Sequence, residues 1–181
     1  MKSWGRKPRP WLFNWTRISN NFQEPQKKNT VMKWFDIDKE MRCHCGCEMP
    51  AEVRENEKAL IDTVLDDARE RYGKPIVVNS GYRCEKYNRD VVHGAANSQH
   101  CGRLGNAAAD IAPVNSEEIK DKSELERLAR IIAEQNRFDQ LILYPTFLHV
   151  SYKRYGLNRH QILKKVGTGY VPVSRKEVLG V

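Results

Sequence analysis

Ser98-Gln99-His100-Cys101-Gly102-Arg103-Leu104-Gly105-Asn106-Ala107-Ala108-Ala109-Asp110-Ile111-Ala112 is the stretch on which the reading of this 181-residue chain turns. Its second half, Ala107 to Ala112, reads as a buried strand of small residues carrying one carboxylate, Asp110. Its first half closes a segment, 81–106, that is rich in Gly, Asn and charge and shows no clear element over about 25 residues. A loop of that length inside a compact domain is usually functional.

Outward from this stretch the elements are plainer. Val53, Leu60, Ile61, Val64, Leu65, Ala68 and Tyr72 recur at helical spacing over 49–72, and Gly73 and Pro75 stop the helix. Pro75-Ile76-Val77-Val78-Asn79 follows as a short β-branched strand that ends in the turn Asn79-Ser80-Gly81. Downstream, Ser123-Glu124-Leu125-Glu126 reads as a capping box, with Leu125, Leu128, Ala129, Ile132 and Ala133 on one helical face. Two strands, 141–144 and 148–152, flank Pro145-Thr146. Helices and strands mix without a βαβ repeat, so the expected class is α+β: a small antiparallel sheet with flanking helices and irregular N- and C-terminal arms. The expected organisation is a basic, aromatic arm over 1–33, a domain over 34–154 and a basic extension over 155–181.

Three side chains with ligand chemistry sit on these elements: His100 in the loop, Asp110 closing the Ala run and His149 in the last strand. Imidazole nitrogen and carboxylate oxygen both suit zinc, and three protein ligands leave a fourth position open, as in catalytic sites. A zinc ion there would lower the pKa of its water toward ~7 and polarise a carbonyl, which amide hydrolysis requires. Residue types alone leave plainer readings open. His149 could be a core or solvent-facing histidine, Asp110 a strand-end turn residue and His100 a loop histidine.

The net charge of +8 is unevenly spread. Residues 1–33 carry eight basic side chains against one acid, and residues 152–181 carry seven against one, which leaves the middle acidic. Such ends fit either an anionic partner, such as a cell-wall polymer, or solvated tails. Nucleic-acid binding is disfavoured, because no recognised motif is present and few aromatics interleave with the C-terminal charges. No apolar run is long enough to span a bilayer, and the first 30 residues lack the apolar stretch of a secretory signal, so synthesis in the cytoplasm is expected. Three of the five cysteines cluster in Cys43-His44-Cys45-Gly46-Cys47. They invite a zinc or a disulfide reading; a structural zinc site uses a second pair, which is missing here unless Cys84 and Cys101 supply it from a distance, and the reading preferred over both is free thiols.

Several blocks appear in order: Val78-Asn79-Ser80-Gly81-Tyr82-Arg83, Asn88, Ser98-Gln99-His100, Gly105 with Ala108-Ala109-Asp110-Ile111, Phe138-Asp139-Gln140-Leu141-Ile142 and Leu148-His149-Val150-Ser151. Together they resemble the zinc D-Ala-D-Ala carboxypeptidase family, which includes phage endolysins that cut L-Ala-D-Glu bonds. The likeness covers roughly residues 34–154, and the cysteine run before the first helix is similar to members of its bacterial and phage branch. The resemblance implies a Zn2+ cofactor on His100, Asp110 and His149 at the sheet. It implies a substrate-facing Arg83, which could pair with a peptide carboxylate or stabilise an oxyanion. Ser98 becomes a candidate substrate contact.

Two departures stand out. The family pattern Ser-x-His-x-x-Gly-x-Ala-x-Asp brings its His and Asp closer than His100 and Asp110 lie here, so Cys101-Gly102-Arg103-Leu104 reads as an insertion, which a loop absorbs at small entropic cost. The family also places a general base shortly before its last histidine. No acid occupies Leu143–Leu148, and the candidates for that role are Asp139 and Tyr144; a phenol, with a reference pKa of about 10, is the poorer base.

The expected function is zinc-dependent hydrolysis of peptidoglycan stem peptides by a phage lysin or virion-associated enzyme acting at the cell wall. The alternative is a catalytically impaired member of the fold, anchored to a neighbouring subunit or an anionic wall polymer by its basic ends.

Overall fold

The computed structural model describes residues 33–114 and 122–181. The expected N-terminal arm, up to residue 32, lies outside the described residues.

A short helix α1 (Ile37–Glu40) leads through an irregular stretch to α2 (Ala51–Leu60). One π-helical turn, Ile61–Leu65, joins α2 to α3 (Asp66–Tyr72), so the helix expected over 49–72 is continuous but carries a wide turn in its middle. Strand β1 (Ile76–Ser80) follows, then α4 (Glu85–Asp90) and two 3-10 turns, Gln99–Cys101 and Arg103–Gly105, inside the segment expected to lack structure. The small-residue run forms β2 (Asn106–Pro113). Helix α5 (Lys122–Gln135) precedes β3 (Gln140–Leu143) and β4 (Leu148–Lys153).

The α+β class holds, with a larger sheet than expected. Six strands lie in the order β1-β2-β4-β3-β5-β6, where β5 is Gln161–Val166 and β6 is Gly169–Pro172. β5 runs parallel to β3, with Gln140 opposite Gln161 and Leu143 opposite Lys164; the other neighbours are antiparallel. The C-terminal segment expected to be irregular is therefore two strands and a helix, α6 (Arg175–Leu179). The free edge of β3 offers unpaired backbone groups, and β5 satisfies them. Arg175 then donates through Nε and Nη2 to the Ala133 and Glu134 carbonyls at the end of α5, fixing α6 there.

Strand alternation divides the sheet into two faces. Ala107, Ala109 and Ile111 of β2, Leu141 of β3, Leu148 and Val150 of β4 and Ile162 of β5 pack against Leu60, Ile61, Val64 and Leu65 of the long helix and Leu125, Leu128 and Ile132 of α5. The intervening residues, including Asp110, His149 and Ile142, belong to the opposite face. Asp110 stands directly opposite His149 in the β2–β4 register, and Ile142 opposite His149 on the other side. The helical layer thus holds the strands while two ligand-type side chains are presented on the open face.

Candidate metal centre and cleft

Asp110 and His149 are adjacent because of strand register; His100 reaches them from the 3-10 turn before β2. Its ring is set by Nδ1, which lies 2.7 Å from the Gly81 carbonyl oxygen and donates its proton there. That leaves the Nε2 lone pair facing His149 Nδ1 at 3.1 Å and Asp110 Oδ1 at 3.2 Å. His149 Nδ1 lies 3.0 Å from the same oxygen. The close approach of strand end and loop depends on Gly81, where a Cβ would sit 2.6 Å from the Met41 Cα.

All three groups are buried. Burial pushes the Asp110 carboxyl toward its neutral form, but the adjoining His100 and His149 rings outweigh this and hold it well below the usual carboxylate range. Burial lowers the His149 pKa against the opposing pull of Asp110, which favours the neutral imidazole that ligates metals. Three acceptor atoms thus converge at 3.0–3.2 Å. Tetrahedral zinc with N and O ligands spaces them roughly 3.3 Å apart, so the donor set is within a few tenths of an ångström of that spacing. The added residues after His100 are absorbed by a loop pinned at both sides: Asn56 Nδ2 donates to the Gly102 carbonyl at 3.1 Å, and Arg103 pairs with Glu85.

Arg83 sits beside the triad. Nε donates to Ser80 Oγ at 2.8 Å and Nη2 pairs with Asp110 Oδ2, so the guanidinium orients the carboxylate whose other oxygen faces the histidines. It also lines a cleft of about 820 Å³ that opens over the triad. Ser98 and Tyr144 line the same cleft. Ser98 stands at the start of the 3-10 turn without a side-chain capping bond. The Tyr144 ring stacks on Phe147 at 4.2 Å, and its hydroxyl lies 2.9 Å from that of Tyr170. Burial and the Tyr170 hydroxyl raise the Tyr144 pKa, so the phenol keeps its proton.

Asp139 is not among the residues that line the cleft. Its fully buried carboxylate accepts from the Arg159 backbone N–H at 2.9 Å, from Arg159 Nη2 at 2.5 Å and from Gln99 Nε2 at 2.8 Å. Burial pushes its pKa up, and the Arg159 bonds more than offset this. These contacts tie the carboxylate to the segment that leads into β5 and to Gln99.

The cleft also contains Arg103, Lys153, Arg159 and Tyr170, which the sequence did not single out. Arg159 and Tyr170 come from beyond residue 154. Their available signal was the basic character of that segment, which reads as a tail until β5 is seen to join the sheet.

Among family models, the one described as Peptidase M15 matches residues 34–151. No curated protein and no solved structure matches the chain.

Proposed function

Because the chain belongs to the peptidase M15 family, and is on that ground a metallopeptidase, we propose that it hydrolyses amide bonds of peptidoglycan stem peptides with zinc held by His100, Asp110 and His149. The observation that carries the reading is the convergence of three buried acceptor atoms beneath a cationic cleft. When bound, the zinc supplies Lewis acidity toward the scissile carbonyl and an activated water.

The chain's own residues define what the cleft accepts. Arg83, Arg103, Lys153 and Arg159 line it, against Asp110 as the one carboxylate among the described lining residues. Stem peptides carry free carboxylates, and a charge-assisted bond to one contributes about 1.5–3 kcal/mol. Ser98 adds a hydroxyl donor, while Ile142 and Phe147 supply an apolar wall for an alanine methyl. Tyr144, protonated and stacked in place, is suited to donate to an oxyanion rather than to act as base. Arg83 pairs with Asp110 and orients it.

The setting proposed is the bacterial cell wall, reached by a phage lysin or virion-associated enzyme made in the cytoplasm. No helix among the described residues is long and apolar enough to cross a membrane. The basic ends are proposed to attach to an anionic wall polymer or a neighbouring subunit.

Zinc-loaded protein incubated with purified peptidoglycan is expected to release D-Ala or stem-peptide fragments detectable by mass spectrometry. Absence of any released product, with zinc present in full, would sink the hydrolytic reading.

One observation favours a second reading. With Asp139 locked by Arg159, no carboxylate other than Asp110 lines the described cleft, and the usual general base has no evident seat. A catalytically impaired member retained for binding would hold stem peptides in calorimetry without turning them over.

A further inference from the structure

A second group of ligand-type side chains lies apart from the triad. The Sγ atoms of Cys43, Cys45, Cys47 and Cys84 all fall within 4.8 Å of one another. Cys43 and Cys45 are 3.3 Å apart at sulfur, and Cys45 and Cys84 3.6 Å. These distances are far beyond a disulfide bond of about 2.05 Å. The group as a whole brackets the spacing of roughly 3.8 Å expected between thiolates on one tetrahedral zinc with Zn–S bonds of about 2.3 Å.

We propose that Cys43, Cys45, Cys47 and Cys84 bind a structural zinc ion in a closed site of four thiolates. The proposal does not rest on the catalytic reading above, because it shares no ligand with it.

The backbone is shaped for this arrangement. The Gly46 N–H donates to the Cys43 carbonyl at 3.0 Å, closing a tight turn, and Gly46 takes a left-handed φ of 77° that a β-carbon would disfavour. That turn brings Cys43, Cys45 and Cys47 into one group. Cys84 arrives from the end of the Gly81–Arg83 segment at the start of α4. Two backbone N–H groups point at sulfur, Cys84 N at Cys43 Sγ and Tyr87 N at Cys84 Sγ, both at 3.3 Å. Such donors stabilise thiolates and orient them as a ligand's outer partners do. Cys101 is buried outside the group, and His44 turns to the Tyr87 ring instead.

The surroundings give the ion a purpose. From Arg42 to Pro50 only Cys43 is buried, and its apolar neighbours are Val53, Tyr82 and a few partly buried side chains. So thin a core does little to order an irregular nine-residue stretch. A four-thiolate zinc centre would tie it to Cys84, and Cys84 follows Arg83 directly. The same short segment supplies Gly81, whose carbonyl sets the His100 ring, and Arg83, which holds Asp110. The cysteine site therefore braces the segment on which two partners of the triad depend. Loading it would release thiol protons, since the ligands bind as thiolates.

The test uses the full chain with His100, Asp110 and His149 replaced together by Ala, Asn and Ala, purified in reducing buffer with zinc. Elemental analysis is expected to find about one zinc per chain, released when an organomercurial titrates the thiols. Replacing the zinc with cobalt is expected to give thiolate charge-transfer bands, which Cys45→Ser removes or weakens. If Cys45→Ser fails to fold, the mercurial release and the cobalt spectrum of the triple variant still decide the matter. A triple variant that holds no zinc while all five thiols titrate as free would overturn the proposal, as would mass spectrometry showing disulfides among these cysteines in that preparation. Failure of the catalytic reading has a different signature: zinc content that does not change when the triad is replaced.

Discussion

Arg159 closes over Asp139 from the segment that leads into β5, donating to its buried carboxylate from the backbone N–H and from the guanidinium. The pair joins the residue just before β3 to the segment just before β5, and the Asp139 carbonyl in turn accepts from Gln161 N at 3.0 Å. The two strands that lie parallel are thus registered by one ion pair at their common end.

Arg159→Ala should destabilise the fold by about 1–3 kcal/mol, the cost of taking the guanidinium from a buried carboxylate that keeps only the backbone N–H and Gln99 as donors. The figure lies below that of a fully buried pair because the guanidinium is half exposed and screened. The folded pKa of Asp139 is depressed, so its contribution is present above the unfolded value of about 3.9 and is lost as pH falls through the folded value. Urea melts between neutral and acid pH should show this loss in the native sequence and little of it in Asp139→Asn. Equal stability of Arg159→Ala and the native protein would refute the assignment.

Glu57 predicts the opposite slope. It is fully buried on α2, neither carboxylate oxygen has a side-chain partner among the described residues, and burial raises its pKa well above the ordinary value. Its folded form is therefore the neutral acid, and the stability tied to it is full below the unfolded pKa of about 4.3 and declines as pH rises toward the folded one. Glu57→Gln should match the native protein near pH 4 and exceed it by about 1 kcal/mol or more at pH 8. Parallel pH profiles for the two proteins in thermal melts would count against this.

Arg83→Ala should weaken zinc binding at the triad about 10–100-fold, the usual cost of losing a ligand's outer partner. Competition with a chromogenic chelator measures it. Arg83→Lys is expected to recover only part, because an ammonium cannot bridge Ser80 and Asp110 with the geometry of a guanidinium. Unchanged zinc affinity in Arg83→Ala would assign the arginine to substrate alone.

Tyr144→Phe tests the donor role. It should lower kcat about 10²–10³-fold with little change in KM, if the phenol stabilises charge that develops only in the transition state. Tyr170→Phe, which removes the hydroxyl partner 2.9 Å away, should have a smaller effect. A change confined to KM would make Tyr144 a binding residue.

The triad was legible because its chemistry is carried by residue type and by strand periodicity. Asp110 and His149 occupy alternate positions in two strands whose apolar partners announce which face is buried, and His100 follows from the ordered words around it. The C-terminal strands were not legible for a physical reason. In β5 only Ile162 is fully buried, and Lys164 and Lys165 follow it, so the sequence carries the pattern of a solvated tail. The strand exists because β3 needs a partner, and that need is a tertiary property. The same holds for the Asp139–Arg159 pair and for Cys84, which joins cysteines about 40 residues earlier while nearer Cys101 does not. Distance along the chain says little about which loops meet.

The parallel seam between β3 and β5 bears on how this protein can be shortened. Likeness to the family ends at Ser151, and a chain cut there would look complete by sequence. It would nonetheless open the edge of β3, leave Asp139 without Arg159, and take Tyr170 from beside Tyr144. Such a fragment would present a bare, sticky strand to its neighbours in solution. Expression trials that trim to the recognisable domain should expect aggregates, and those that keep the chain through α6 should expect soluble protein.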